Sequence, residues 1–333
     1  MSTTPSLPTR PLRTGLALTE LGFGGAQIGN LYRETTEAEA ADAVLDAFRG
    51  GIRYFDTAPH YGLGLSERRL GAALASLPRA EVVVSSKVGR LLLDSPETAD
   101  QVDPGGFEVP ASLRREWDFS RDGILRSVES SLRRLGTDRL DIAYLHDPDD
   151  HWEQASTTAV DALMELREQG VVGAIGAGMN QAEMLTEFIR RTDVDVVMVA
   201  GRLTLLDQSA LAELLPLATA RNVKVVAAAV YNSGLLGRPD VAPDGHYDYG
   251  TAPAAVVERA RQVAAVCRDH GVTLPDAAVQ YPLRHPSVAS VVVGVRTSEQ
   301  ADGTLSRYRA QIPEALWTAL DELGLAPDIG EHA

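Results

Sequence analysis

Asp56, His60 and Tyr61 fall within one short stretch, "FDTAPHYGLGLSERRLG", with Lys87 closing the run "VVVSSK" and His146 closing "IAYLH". Tyrosine can hand a proton to or from a substrate hydroxyl. Its unperturbed pKa near 10 is too high for a ready base at neutral pH, but an adjacent ammonium favours the phenolate. A shift of about two units takes roughly 2.7 kcal/mol, within the reach of one close, partly desolvated charge. In such a set Asp56 holds Lys87 charged and in place, while His146 hydrogen-bonds and orients the substrate oxygen. The chemistry is the oxidation of an alcohol to a carbonyl, with a separate acceptor for the hydride.

These side chains need elements that bring them together. Apolar, β-branched runs recur at 21–26, 52–57, 81–88, 140–147, 171–178, 194–201, 223–230 and 288–295. Most are continuous and not alternating, as expected of strands covered on both faces of a parallel sheet. Between the first two, Thr36 and Glu39 form a capping-box pattern and Gly50-Gly51 mark a stop. Further helices are predicted at 120–136, 156–170, 180–192, 207–221 and 253–270. Eight strands, each followed by a helix, predict an α/β fold of the (β/α)8 TIM-barrel type. Asp56, Lys87 and His146 then end three consecutive strands at the face where such barrels carry their sites. Neighbouring strands lie about 4.8 Å apart, so these residues and Tyr61 can converge.

A barrel of this kind takes about 250 residues, and the 333-residue chain reads as a single domain, 1–333, with three additions. Residues 11–18 predict an N-terminal hairpin turning at Thr14-Gly15, and long loops follow the third strand (91–119) and the seventh (237–253). Phe107, Trp117, Tyr247 and Tyr249 give both loops the character of packed lids.

With 44% hydrophobic and 23% charged residues, the composition is that of an ordinary globular protein. A net charge of −15 and the lack of a dense Lys/Arg run exclude a nucleic-acid footprint; "LRREW" and "LRRLG" are expected on solvated faces. Cys267 is the single cysteine, and no apolar run approaches the roughly 20 residues of a membrane span. A cytoplasmic protein acting on a small molecule, without a membrane partner, is expected. The stretch "HDPDDH" (146–151) invites a metal-hydrolase reading, but Pro148 interrupts it and no companion ligand spacing occurs, so no metal site is expected.

The Asp–x4–Tyr-Gly pattern followed by a Glu-led helix, the lysine strand "SSKV" and the histidine strand "YLHDPD" resemble the aldo-keto reductases. "APHYGLGLSERRLG", "VAGRLTLLDQ" and "VYNSGLLG" are most similar to their bacterial aldose 1-dehydrogenase and pyridoxal 4-dehydrogenase branch. The resemblance implies a catalytic tetrad of Asp56, Tyr61, Lys87 and His146 and a nicotinamide cofactor across the barrel mouth. "LGFGGAQIG" and "YGLGLSE" lack the third glycine and the context of a Rossmann fingerprint. The cofactor is therefore expected at the barrel rim, near the loops after strands seven and eight.

By resemblance, Tyr231 stacks on the nicotinamide and Asn232, Ser233, Gly234 and Leu235 hold the pyrophosphate. Asn180 and Arg202 stand where other members grip the nicotinamide amide, and Gly25, Ala26 and Gly294 complete the rim. Arg296 is the one basic residue after the last strand, with Gln300 where a second is usual, so NAD is expected in preference to NADP. His60, Trp117, Tyr247 and Tyr249 are expected to meet the substrate. The implied reaction oxidises a cyclic hemiacetal to a lactone: pyridoxal, or an aldose such as L-fucose at C1. The aromatic loops tilt this choice towards the flat ring of pyridoxal. The alternatives are an NADPH-dependent aldehyde or ketone reductase and a non-catalytic, nicotinamide-sensing regulatory subunit.

Overall fold

The computed structural model describes residues 6–248 and 250–330. A hairpin, β1 (Thr9–Pro11) and β2 (Ala17–Thr19), precedes the barrel and turns through Gly15, whose φ of 87° suits a residue without a Cβ. The chain then alternates β3 (Leu21–Gly24), α1 (Glu37–Arg49), β4 (Tyr54–Asp56), α2 (Leu65–Leu74) and β5 (Val83–Val88). The segment after β5 holds β6 (Arg90–Asp94) and β7 (Leu113–Trp117), and α3 (Arg121–Leu135) and β8 (Leu140–His146) follow. A helical turn, α4 (Trp152–Gln154), leads into α5 (Val160–Glu168), then β9 (Val172–Met179), α6 (Ala182–Arg191), β10 (Val196–Ala200), α7 (Leu214–Arg221) and β11 (Lys224–Ala228). After the two-residue strands β12 (His246–Tyr247) and β13 (Gly250–Thr251) come α8 (Ala254–Asp269), α9 (Leu274–Gln280), β14 (Val288–Gly294), α10 (Ser298–Arg309) and α11 (Glu314–Glu322).

Strands β3, β4, β5, β8, β9, β10, β11 and β14 close into a parallel barrel in that order. Each lies inside the predicted run or overshoots it by one residue, because covered parallel strands leave a continuous apolar signature. Alternate residues face opposite sides of a strand. Tyr54, Val83, Ile142, Tyr144 and Met198 point into the lumen and pack with Leu12 and Leu18 of the hairpin, which plug its lower end. Phe55, Val84, Ala143 and Leu145 point outward to the helices.

The helix signals act as expected at α1, where Thr36 Oγ1 accepts from Glu39 N–H and Glu39 Oε2 accepts from Thr36 N–H. Two helices depart from the prediction. Helix α7 starts at Leu214, not 207, because Thr204 and Asp207 side chains hold a turn by accepting from Leu206, Asp207 and Ser209 N–H. The helical stretch before β9 begins at Trp152 and passes through a wide turn at Ala155–Ala159.

The segment 91–119 is not simply a loop. Strands β6 and β7 pair antiparallel, Arg90 opposite Trp117 and Asp94 opposite Leu113. The "LRREW" run is therefore a strand, with Arg115 turned inward onto Asp103 at 2.6 Å instead of lying on a solvated face. Among the described residues, no helix is long and apolar enough to cross a membrane.

Candidate active site

Registers explain how three strands present one cluster. Asp56 pairs with Ser85, and Lys87 pairs with Tyr144. With a period of two, Tyr54 and Asp56 on β4, Ser85 and Lys87 on β5, and Tyr144 and His146 on β8 all face the lumen. Asp56, Lys87 and His146 are the uppermost of each set. Tyr61 arrives from the turn after β4, where Tyr61 N–H donates to Ala58 O at 3.1 Å and Gly64 N–H to Pro59 O at 2.8 Å. Gly62 is required there, since a Cβ on it would stand 2.2 Å from Gly29 O.

Lys87 Nζ donates to Asp56 Oδ2 at 2.6 Å, Tyr61 OH at 3.0 Å and Thr57 O at 3.1 Å. Asp56 and Lys87 are both buried. Burial works against the ammonium, but Asp56 and Tyr61 outweigh it and its pKa lies above the ordinary lysine value. Burial likewise disfavours the phenolate of Tyr61. Lys87 opposes that and Asp56 reinforces it, so the phenol pKa lies above its ordinary value. The expected lowering by Lys87 is present but smaller than the desolvation. Tyr61 therefore rests protonated, and its phenolate is a form to be reached, not one stored.

Asp56 also accepts from Ser85 Oγ at 2.7 Å, and Ser85 Oγ lies 3.1 Å from the Tyr54 hydroxyl, itself 3.2 Å from that of Tyr144. A carboxylate only accepts. Ser85 must give its single proton to Asp56, so the Tyr54 hydroxyl supplies the bond to Ser85 and Tyr144 the bond to Tyr54. A buried, ordered chain thus runs from the barrel floor to the Lys87–Tyr61 contact. On the outer face of β5, Ser86 Oγ donates to buried Glu67 at 2.6 Å, and Arg134 Nε donates to the same carboxylate at 2.5 Å, pinning α2 and α3 behind Lys87.

The His146 ring lies 6.0 Å from that of Tyr61 and 5.6 Å from that of His60, edge to face in each case. Burial, aided by nearby Arg and Lys charges, keeps both imidazoles neutral, with the His60 pKa pushed down to about 2 and that of His146 well below its ordinary value. The Nδ1 atoms of both are buried without a hydrogen-bond partner among the described residues. His146 Nε2 lies 3.7 Å from Asp147 Oδ2, beyond direct hydrogen-bond length. Phe107 packs edge-on against His60 at 5.4 Å and lies 6.1 Å from the ring of Tyr61, placing the segment between β6 and β7 over the site. Arg115 fixes that cover by pairing with Asp103 and donating to His60 O at 2.8 Å.

The predicted cofactor residues fall into two groups. Gly25, Ala26 and Gly294 sit on the rim; a Cβ on Gly25 would meet Ser66 Oγ at 2.8 Å, and one on Gly294 would meet Gln27 Oε1 at 2.2 Å. Asn180 follows β9, half-buried. Residues 231–235 form tight turns with Asn232, Ser233 and Gly234 at positive φ, and the N–H groups of Asn232, Gly234 and Leu235 donate to Ala229, Tyr231 and Asn232 carbonyls. The other group is engaged elsewhere. The hydroxyl of Tyr231 accepts from Arg307 at 3.1 Å. Arg202 pairs with Asp248 at 3.1 Å and tethers the second long loop. Arg296 is buried and donates to Leu31 O, Arg33 O and Thr35 Oγ1, while Gln300 Oε1 accepts from Arg296 N–H at 2.9 Å. Two rim acceptors, Gln27 Oε1 and Asn232 Oδ1, are buried without partners among the described residues. Together with the exposed backbone of Gly294, they fit the N–H donors of a dinucleotide's carboxamide and amino groups.

Of the residues expected at the substrate, His60 joins the cluster. Trp117 carries the Arg90 guanidinium at 4.8 Å and the His151 ring at 6.4 Å. Tyr247 is half-buried against the apolar core beside Arg202 and Asp207, and Tyr249 lies outside the described residues. The "HDPDDH" side chains diverge, His146 into the lumen, Asp147 onto Arg90 and His151 onto Trp117 and Phe119. Among the described residues, no three His, Cys, Asp or Glu groups converge as a metal set.

A model of the aldo/keto reductase family matches residues 20–324. The chain is 47% identical over 320 residues to the D-threo-aldose 1-dehydrogenase of a Pseudomonas species, covering 94% of this chain and 96% of that one. It is 37% identical over 333 residues to the pyridoxal 4-dehydrogenase of Microbacterium luteolum, covering 94% and 96%. Among solved structures, an aldo-keto reductase of Bacillus halodurans in its holo form superposes with a TM-score of 0.74 at 25% identity, over 97% of this chain and 98% of that one.

Proposed function

The chain belongs to the aldo/keto reductase family, and on that premise we propose that it is an NAD-dependent dehydrogenase oxidising the C1 hydroxyl of a cyclic aldose to a lactone. The Lys87 ammonium bridging Asp56 and the Tyr61 hydroxyl, beside a neutral His146, carries this reading. His146 Nε2–H donates to the substrate hydroxyl oxygen and orients it. Tyr61, as phenolate, takes the hydroxyl proton. Lys87 stabilises the phenolate while Asp56 keeps Lys87 charged. When bound, a nicotinamide dinucleotide supplies the acceptor for the hydrogen that leaves C1 as hydride. The carbon keeps its ring oxygen throughout, so loss of one proton and one hydride yields the lactone without water entering. Phe107 and the Arg115–Asp103 pair support this by covering the site.

The 47% relative named for an aldose favours a sugar over pyridoxal. So does Trp117, whose ring already carries Arg90 and lies near His151, which weakens the stacking argument made for a flat substrate. Pyridoxal is the second reading, supported by the 37% relative; it too cyclises to a hemiacetal with the same three groups on the oxidised carbon. The preference for NAD is supported by the internal engagement of Arg296.

A panel of aldoses and pyridoxal, each with NAD and with NADP, tests the reading through the appearance of reduced cofactor. Turnover of aldoses with NAD above that of pyridoxal is expected. Turnover of pyridoxal alone would install the second reading, and no turnover of either would overturn both.

A further inference from the structure

Resting on that reading, we infer that Asp147, held by Arg90, is the specificity residue that accepts a hydrogen bond from the hydroxyl on C2, next to the carbon oxidised. Asp147 directly follows His146 at the end of β8 and adopts a φ of 39°. Outside glycine this left-handed conformation is adopted chiefly by aspartate and asparagine, and here it turns the chain sharply at the strand end. Asp147 N–H donates to Gly178 O at 3.0 Å, which pins the turn and directs the carboxylate back over the mouth, where Oδ2 lies 3.7 Å from His146 Nε2.

The carboxylate is held from behind. Arg90, buried as the first residue of β6, donates to Asp147 Oδ2, and its guanidinium lies over Trp117 at 4.8 Å. This fixes one oxygen. Oδ1 has no hydrogen-bond partner among the described residues, and the side chain is 34% exposed. One oxygen of this carboxylate is thus fixed and the other unengaged, an acceptor placed beside His146 Nε2.

The chemistry of the proposed substrate supplies one. Oxygens on neighbouring carbons of a sugar ring are separated by about one hydrogen-bond length. An O1 received by His146 Nε2 therefore brings O2 to the Asp147 carboxylate. A hydroxyl can donate there, and a carboxylate can only accept. A charge-assisted bond of this kind is lost entirely in a 2-deoxy sugar, where the acceptor faces C–H.

The test compares kcat/KM for L-fucose and its 2-deoxy analogue in the wild type, Asp147→Ala and Asp147→Asn. The ratio of the two is internal to each preparation, so a variant that folds only in part still reports it. The wild type should prefer the 2-hydroxy sugar by about 10- to 100-fold, and in Asp147→Ala the ratio should fall to within about threefold of unity, since only the hydroxylated sugar has a bond to lose. Asp147→Asn, which keeps the shape and an acceptor but not the charge, should fall between. A wild-type ratio near one, or an unchanged ratio in both variants, would overturn the inference while leaving the dehydrogenase reading intact. If the wild type oxidised no aldose at all, the parent reading would fall and this inference with it.

Discussion

The ammonium of Lys87 donates to the hydroxyl of Tyr61 at 3.0 Å, yet the Tyr61 pKa stands above that of an ordinary phenol, because burial outweighs the neighbouring charge. Lysine in this site limits a penalty without abolishing it. A protonated phenol suits the reduction of a carbonyl, and its conjugate base suits oxidation, so one geometry serves both directions at different pH.

The first expectation concerns that hydroxyl. Tyr61→Phe should lower turnover by about 10²- to 10⁴-fold, the range of a general acid–base contribution. Dinucleotide affinity, measured by fluorescence titration, should change little, because the lost oxygen contacts Lys87 and not the rim residues. Activity retained within a factor of about three, well below that range, would remove Tyr61 from the reaction.

The second concerns pH. The base is the phenolate, whose fraction grows as pH rises towards a pKa held above the ordinary value. The oxidation rate should therefore climb from about pH 7 to about pH 9, while reduction of the corresponding carbonyl, which uses the protonated phenol, should stay level over the same interval. His60 and His146 stay neutral throughout, since both titrate far below this window. A flat oxidation profile would contradict the assignment of the base.

The third concerns the chain beneath Asp56. Ser85→Ala deletes the proton given to Asp56 Oδ1 and leaves a buried carboxylate oxygen short of a donor. Losing a hydrogen bond to a charged group should cost about 1.5–3 kcal/mol of stability by denaturant titration. The undispersed charge on Asp56 should also raise the Tyr61 pKa further, moving the rise in oxidation rate to higher pH. Tyr54→Phe, one step further from the charge, should do less of both. A Ser85→Ala enzyme with the wild-type pH profile would show that the chain only fills space.

The fourth concerns the dinucleotide. Arg296 uses its guanidinium on Leu31 O, Arg33 O and Thr35 Oγ1, so a 2′-phosphate would lack the charge-assisted bond it needs, worth about 1.5–3 kcal/mol. Oxidation with NAD should exceed that with NADP by roughly tenfold or more in kcat/KM. Arg296→Ala should destabilise the fold without altering that ratio. A ratio at or below unity would place a cation at the phosphate.

The barrel was legible because parallel strands covered on both faces announce themselves as apolar runs, and period-two alternation then carries Asp56, Lys87 and His146 to one end. Glycine stops and the Thr36–Glu39 cap were equally local signals. What stayed hidden depended on partners distant in sequence. Arg115 and Arg134 sit in stretches resembling solvated arginine runs, and only Asp103 and Glu67 turn them inward. The β6–β7 hairpin lies in a segment whose Pro, Gly and Asp content announces a loop. Arg296 and Tyr231 stand at the expected positions, but their side chains reach local carbonyls and Arg307, which no spacing rule reveals. Asp147 was visible only as part of a metal-like string until Arg90 and its left-handed backbone showed where its carboxylate goes.

In the proposed reaction a cyclic hemiacetal loses a proton to Tyr61 and a hydride from the same carbon, with the ring intact. Carbon NMR of the C1-labelled aldose during turnover with NAD follows that carbon itself. A lactone carbonyl signal should rise first and in step with NADH, with free carboxylate appearing only afterwards by hydrolysis. A carboxylate signal that leads, with no lactone before it, would mean that the open-chain hydrated aldehyde is the substrate and that Tyr61 does not act on a ring hemiacetal.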